Sequence, residues 1–298
     1  METGMRSPIT WYGGKGLLAG SLLRLVPPHT TWVEACAGGA ALTFAKPPSA
    51  IDVINDVHDG ITTLYRVLRD PLTFVAFEKL CQLTPYSRSQ FGECRDCWAC
   101  EADPVRKAWA FFVAVRQSFA GHVSPSVRPT WGYSVADPGG DHVRRWLGSV
   151  DGLMAVHARL RHVQVECRPW QDLLPIYDGP DVLWYFDPPY PLSARVGGVR
   201  YDHEMTDREH HEMVARLCSL RGMVMLSGYH VPALHRPLDD AGWQRRDFAV
   251  AIAAARQRTG MRRVESVWRN PAAVRAWEAH RGPLFAGLDS DGAGAAAR

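Results

Sequence analysis

Asp187-Pro188-Pro189-Tyr190 has the clearest chemical capacity in this chain. A carboxylate and the carbonyl of the residue beside it can both accept hydrogen bonds from one NH₂ group, and proline has no N–H to compete. The ring of Tyr190 can stack on the planar system that carries such an amine. These residues close an apolar run, Val182-Leu183-Trp184-Tyr185-Phe186, that reads as a buried strand. They therefore stand where open α/β sheets bind ligands, at the carboxyl end of a strand. Modification of an exocyclic amine is the chemistry that fits. A plain turn after a core strand is the alternative for this motif taken by itself.

Three further stretches could hold a cofactor. In Trp11-Tyr12-Gly13-Gly14-Lys15 two glycines permit close backbone approach, and aromatic rings and a cation flank them. That combination suits a ligand with a carboxylate and a flat base, although a simple glycine turn anchored by Trp11 reads equally well. Glu34-Ala35-Cys36-Ala37-Gly38-Gly39-Ala40 is a strand-to-helix turn that can offer backbone N–H groups to a ligand. It is neither G-x-G-x-x-G nor a Walker A loop, so no pyrophosphate is specified. Asp56 follows the next strand about twenty residues later, a spacing that suits ribose hydroxyls. Asn55 or Asp56 would also serve as a helix N-cap.

Cys94, Cys97 and Cys100 have the spacing of half a zinc site. No partner pair follows, and His122 is the conceivable fourth ligand, so no metal is assigned and free thiols are the simpler reading. Seven cysteines, odd in number and unevenly spread, suit a reducing compartment.

The surrounding pattern is α/β. Strands are expected at 32–36 and 51–54, with helices after each, to Ala45 and over 57–69, a βαβα order that argues for a parallel sheet. Residues 72–83, 105–119 and 143–160 read as helices, 84–104 as loop-rich, and 121–140 as a Gly/Pro/Ser-rich loop. The sheet resumes at 162–167, 182–186 and 223–226, with a helix over 207–220. Late strands are expected at 248–252 and 263–268, joined by a basic turn, Arg256–Arg263, that could approach a nucleic-acid backbone. The expected division is a catalytic domain of 1–70 and 161–284, an insert of helices and loops over 71–160, and a disordered Gly/Ala/Asp-rich tail over 285–298.

The chain has 298 residues, 46% apolar and 22% charged, enough for a sizeable core in one large or two small domains. A net charge of +3 means that any nucleic-acid contact needs a local basic surface. No stretch approaches a transmembrane helix, and the first residues lack a secretory apolar segment, so a cytoplasmic location and no membrane partner are expected.

Taken in order, Trp11–Lys15, Glu34–Ala41, Asn55-Asp56 and Asp187–Tyr190 resemble the motifs of Dam-type DNA adenine-N6 methyltransferases, most of all the phage and prophage branch. Tyr201–Thr206 resembles the loop after the catalytic motif, Leu226–Tyr229 a late strand, and Glu265–Pro271 the C-terminal signature. The likeness spans roughly residues 7–271. It implies a Rossmann-like S-adenosylmethionine-dependent methyltransferase sheet with a mostly helical DNA-recognition insert. Trp11, Tyr12, Lys15, Glu34, Gly38, Gly39 and Asp56 would surround S-adenosylmethionine. Asp187, Pro188, Pro189 and Tyr190 would hold an adenine flipped out of duplex DNA. Arg88, Arg95, Arg106, Lys107, Arg116, Arg128, Arg144 and Arg145 of the insert would touch DNA, with Trp131 and Tyr133 stacking or intercalating.

The chain departs from the family pattern in four places. Ala35 and Cys36 replace the usual Pro and Phe, His58 replaces Asn, and Pro169-Trp170 stand where an acid is usual. The alternatives left open are cytosine-N4 or RNA amine methylation and a catalytically idle DNA-binding homologue. The recognised DNA sequence, a cognate restriction nuclease and the oligomeric state are not readable, and a monomer is compatible with the sequence.

Overall fold

A computed structural model describes residues 5–119, 129–134, 141–194, 203–251 and 262–281. Arg128, His122, most of the Gly/Pro/Ser-rich loop, Tyr201, Asp202, the basic turn up to Met261 and the tail lie outside the described residues.

Seven strands form one sheet: β1 (Thr31–Glu34), β2 (Ile51–Asn55), β3 (Val163–Glu166), β4 (Val182–Phe186), β5 (Met223–Gly228), β6 (Gln244–Ala251) and β7 (Arg262–Arg269). Their order is β3-β2-β1-β4-β5-β7-β6. The first five run parallel, and β7 lies antiparallel between β5 and β6. This is an α/β fold with a mostly parallel sheet, compatible with a Rossmann-like fold. The strand order turns back between β1 and β4, which are hydrogen-bonded neighbours. Crevices for ligands open at such a reversal, beyond the carboxyl ends of the strands. Glu34, ending β1, and Asp187, just past β4, both stand there.

The helices are α1 (Ala19–Leu23), α2 (Ala41–Ala45), α3 (Asp59–Arg69), α4 (Pro71–Gln82), α5 (Arg88–Cys97), α6 (Pro104–Gln117), α7 (His142–Asp151), α8 (Leu153–Leu160), α9 (Trp170–Tyr177), α10 (Asp207–Cys218), α11 (Pro232–Asp240) and α12 (Pro271–Arg281). Period-two alternation divides the strands between two faces. Trp184 and Phe186 of β4 pack with Val33, Leu173, Met213 and Leu234 beneath α9, α10 and α11. Leu183 and Tyr185 pack on the other side with Leu22, Trp32 and Ala273. On that side, over the β2–β3 edge, α3 shares one apolar cluster with α4 to α8 through Leu64, Phe77, Phe111, Trp146 and Leu160. The helices of 71–160 thus continue the layer begun by α3.

Several expectations are corrected. The loop-rich reading of 84–104 missed α5, whose buried face is narrow: Phe91, Cys94 and Trp98 alone, at spacings of three and four, among polar residues. The single helix expected over 143–160 is two, α7 and α8, separated at Gly152, a residue of low helix propensity. Strand β6 begins four residues before Phe248. The cap of α3 is neither Asn55 nor Asp56. The helix starts at Asp59, and His58 Nδ1 accepts from the Ile61 N–H.

Asn55 does something else. Its Nδ2 donates to the Ala35 and Arg168 carbonyls at 2.8 and 3.0 Å, and its Oδ1 accepts from Arg168 N at 3.0 Å. One buried amide therefore ties together the segments leaving β1, β2 and β3, which form the rim of the crevice. Each buried partner left unsatisfied costs about 1–3 kcal/mol. Asn55→Ala is expected to lower the unfolding free energy in a urea titration by about 3 kcal/mol; a loss well under about 1 kcal/mol would show that the tie is not needed.

Candidate functional site

A cavity of about 300 Å³ opens at the reversal point, at the lower end of the size range of small-molecule sites. Of the cofactor set expected from the sequence, Trp11, Tyr12, Lys15, Glu34, Gly38, Gly39 and Asp56 all line it, and so do Asp187, Pro188 and Pro189. Residues from four separate stretches are thereby brought together. Tyr190 is not on this wall.

The glycine turn is shaped by close approach. Gly38 has φ +48°, and a Cβ there would come within 2.7 Å of the Trp11 ring. Only glycine lets the indole lie against the turn. Asp56 fixes the turn from the other side: its Oδ2 accepts from Gly38 N at 2.7 Å and its Oδ1 from His58 N at 2.9 Å. Each carboxylate oxygen keeps a second lone pair, so Asp56 can still take hydroxyl groups from a ligand. His58 stacks on Trp98, packs on Phe111 and meets the Trp11 ring edge-on, which connects the cavity wall to α5 and α6.

The floor is an ion cluster. Lys15, in a short 3₁₀ turn, is buried, with 5% of its side chain exposed, against 18% for Asp187. Lys15 Nζ donates to both Asp187 oxygens at 2.6 and 2.7 Å, to Tyr190 OH at 2.6 Å and to Gly13 O at 3.1 Å. Glu265 Oε1, from β7, lies 3.5 Å from the same ammonium and accepts from the Tyr190 hydroxyl. Tyr190 itself is buried behind the cavity, edge-on to Tyr229 at 4.4 Å. Burial lowers the Lys15 pKa, but the attraction of Asp187 and Glu265 outweighs it and holds the ammonium above its ordinary value. Burial, opposed by Lys15 and reinforced by Glu265, raises the Asp187 carboxyl above the usual range.

Glu34 is a third buried acid. Its Oε2 accepts from Thr43 N at 3.0 Å and Thr43 Oγ1 at 2.5 Å. Burial pushes its pKa up to about 7 despite those bonds. Asp56 and Glu209 add two more carboxyls to the lining, while Lys15 is already paired. The cavity thus favours a cationic ligand over a phosphate. Pro169, Trp170 and Gln171 line the cavity and Asp172 does not, so the wall at Pro169-Trp170 carries no acid.

Sequence reasoning missed the place of Glu265 in the floor. It had Glu265 only within a terminal signature, and nothing in local spacing joins β7 to Lys15. Of the basic set, Arg88 is exposed and its guanidinium lies over the Trp131 and Tyr133 rings at 4.6 and 5.4 Å. Those two rings stack on each other at 6.2 Å. Arg106 is exposed. Lys107 is paired with Asp59 at 2.5 Å, Arg95 with Asp96 and Arg144 with Asp141. Arg116 donates to the Arg145 carbonyl, with its pKa lowered by burial and by the Arg145 charge. Among the described residues no group of His, Cys, Asp and Glu is arranged to hold a metal, and the seven cysteines are free thiols. No described helix is long and apolar enough to cross a membrane.

The raised Glu34 pKa has a sign that can be measured. A carboxyl with a higher pKa folded than unfolded stabilises fully at low pH, and that contribution is lost as pH rises from about 4.5 to about 7. Glu34→Gln should unfold at nearly the wild-type temperature at pH 4.5. By pH 8 it should be the more stable form, by up to about 3 kcal/mol. Parallel melting curves across this range would refute buried ionisation at Glu34. Compared with models of known protein families, the chain matches none, and no curated protein is found to be similar to it.

Proposed function

We propose that this protein is an S-adenosylmethionine-dependent methyltransferase that acts on an exocyclic amine of DNA, the N6 of adenine. One observation carries the reading: Asp187 and Pro188 stand on the wall of an acid-lined cavity at the reversal of a parallel sheet, opposite the glycine turn. A sulfonium–ammonium cofactor suits that lining better than a dinucleotide, whose pyrophosphate would face Glu34, Asp56, Glu209 and Asp187 with no unpaired lysine or arginine among the described lining residues. The buried Glu34 carboxyl fits the group too, since a cation near it would offset the cost of its ionisation. In this reading Asp56 would take ribose hydroxyls, and Trp170 with Pro169 would give an apolar surface to a flat base.

S-adenosylmethionine, when bound, supplies a methyl group activated by its sulfonium charge. The chain's own residues deal with the acceptor. An aromatic amine is a weak nucleophile because its lone pair is delocalised into the ring. Asp187 and the Pro188 carbonyl, accepting one N–H each, draw the nitrogen toward tetrahedral geometry and free that pair. Positive charge grows on the nitrogen as its C–N bond forms and the methyl–sulfur pair stays with the departing thioether; the Asp187 carboxylate stabilises that charge, and the surplus N–H proton is then lost to solvent. The nearby walls hold the two reactants together and exclude water. Stacking on Tyr190 would require its ring to be reached from behind Pro188, because its hydroxyl is held by Lys15 and Glu265.

An adenine amine inside a duplex is out of reach, so the base must be flipped out at a cost of a few kcal/mol. The array of Arg88, Trp131 and Tyr133, exposed at Arg88 and Tyr133 and half-buried at Trp131, supports a nucleic-acid partner, since planar cations and rings stack on bases irrespective of sequence. It stands at the base of a loop, where Ser118 bridges Trp131.

The test is transfer of a labelled methyl group from S-adenosylmethionine to unmethylated duplex DNA, followed by nucleoside analysis. N6-methyladenine is expected. Label on cytosine or RNA would select those amines instead, and no label in a single-turnover assay by a protein that binds DNA would mean an idle homologue. Asp187→Asn should lower turnover at least about a thousandfold while cofactor affinity changes little. A near-wild-type rate would refute the mechanism.

A further inference from the structure

In this structure the amine-binding carboxylate is already occupied. Both Asp187 oxygens hold the Lys15 ammonium at 2.6 and 2.7 Å. Lys15 Nζ has three hydrogens, yet four oxygens lie within hydrogen-bond reach and a fifth, Glu265 Oε1, waits at 3.5 Å. It cannot satisfy all of them at once, so small rotations exchange its partners. At 5% exposure the ammonium cannot simply be released, because little solvent meets it and an unpaired buried charge is costly.

We propose that Glu265 is a positioning residue that gives the Lys15 ammonium a second anionic seat, so that Asp187 is freed to receive the target amine. The inference rests on the methyltransferase reading of the site. Closing the 3.5 Å gap to hydrogen-bond length takes a movement of under about 1 Å. Tyr190 makes the exchange continuous. Its hydroxyl accepts from Lys15, donates to Glu265 and stands 3.3 Å from Asp187 Oδ1, so it contacts all three charged groups. The antiparallel placement of β7 beside β5 brings Glu265 to the carboxyl edge of the sheet, next to a motif 75 residues earlier in the chain. Ammonium transfer between two carboxylates moves no proton and needs no co-reactant.

Glu265→Gln keeps the size and an oxygen for the Tyr190 hydroxyl but removes the second seat. Lys15 should then stay on Asp187. The expected result is a fall in kcat of about tenfold or more, with the dissociation constant for S-adenosylmethionine within about twofold of wild type. Glu265→Asp, which keeps the charge, should recover part of the lost rate. In a Lys15→Gln background there is no ammonium to move, so adding Glu265→Gln should change the single-turnover rate by less than about twofold. A wild-type kcat for Glu265→Gln would overturn the inference while leaving the methyltransferase reading intact. So would a full tenfold loss that persists without Lys15, or a matched loss of cofactor binding, since both indicate a scaffold role. If the wild-type protein methylates no amine at all, the functional reading fails first and the inference falls with it.

Discussion

The crevice depends on one buried ion pair. Lys15 and Asp187 are 172 residues apart, and their contact joins the N-terminal loop to the end of β4. Neither charge is tolerable alone at that depth. Removing Lys15 leaves Asp187 and Glu265 without their shared cation, and removing Asp187 leaves the ammonium only Glu265, 3.5 Å away; breaking a buried pair in this way is costly. The loop is therefore fixed at both ends, by charge at Lys15 and by shape at Trp11, whose ring fills the space that a side chain at Gly38 would take. Between these anchors, Tyr12 and Gly13 form one side of the cavity. The loop has no sheet partner; these anchors, with Ile9 in the core and Trp11 against His58 and Phe111, hold it in place.

The glycine turn and the loop constrain each other. Gly38 adopts a left-handed conformation, and Ala40, with φ +49°, does the same without the freedom of glycine. A strained non-glycine residue persists only where its surroundings over-determine it. Here the Asp56 carboxylate holds the Gly38 amide, Tyr65 donates to the Gly38 carbonyl at 2.9 Å, and Ala40 is fully buried. The turn is thus held rigid from the β2 side and from α3. A ligand would meet it already formed and would pay little ordering entropy.

Local signals were legible in the sequence, and long-range ones were not. The apolar run of β4 and the Asp-Pro-Pro-Tyr that ends it could be read directly, as could the parallel βαβα start, because period and punctuation are properties of short segments. Ten of the residues expected at the cofactor and target sites do line one cavity: Trp11, Tyr12, Lys15, Glu34, Gly38, Gly39, Asp56, Asp187, Pro188 and Pro189. The partner of each was not legible. Asn55 looked like a cap because its residue type caps well, but three backbone groups of neighbouring segments claim its amide instead. Helices α9 and α11 escaped notice because Pro175 and Pro237 sit inside them, against the usual rule for helix interiors. Basic residues were the least legible. Lys107 looks free in the sequence and is bound to Asp59 in the fold, so a count of arginines and lysines overstates the charge left for a partner.

The acid-rich lining has a consequence for turnover under the proposed function. Glu34, Asp56, Asp187 and Glu209 line the cavity, and among the described lining residues Lys15 is the one lysine or arginine, already paired with Asp187. Such a wall binds a cation more strongly than a neutral molecule of the same shape, and low local dielectric magnifies the difference. A sulfonium that has lost its methyl is a neutral thioether. The Glu34 and Glu209 carboxyls, which would favour the methyl donor, would thus lose part of their hold once the methyl is gone, while the glycine turn, Asp56 and Trp170 would contact parts of the molecule that do not change. Affinity for the common portion and discrimination between donor and product therefore reside in different residues. Substitutions at Glu34 and Glu209 should shift the preference between the two, whereas substitutions at Gly38 should weaken both alike, because the turn is shaped by Trp11 and not by the ligand's charge.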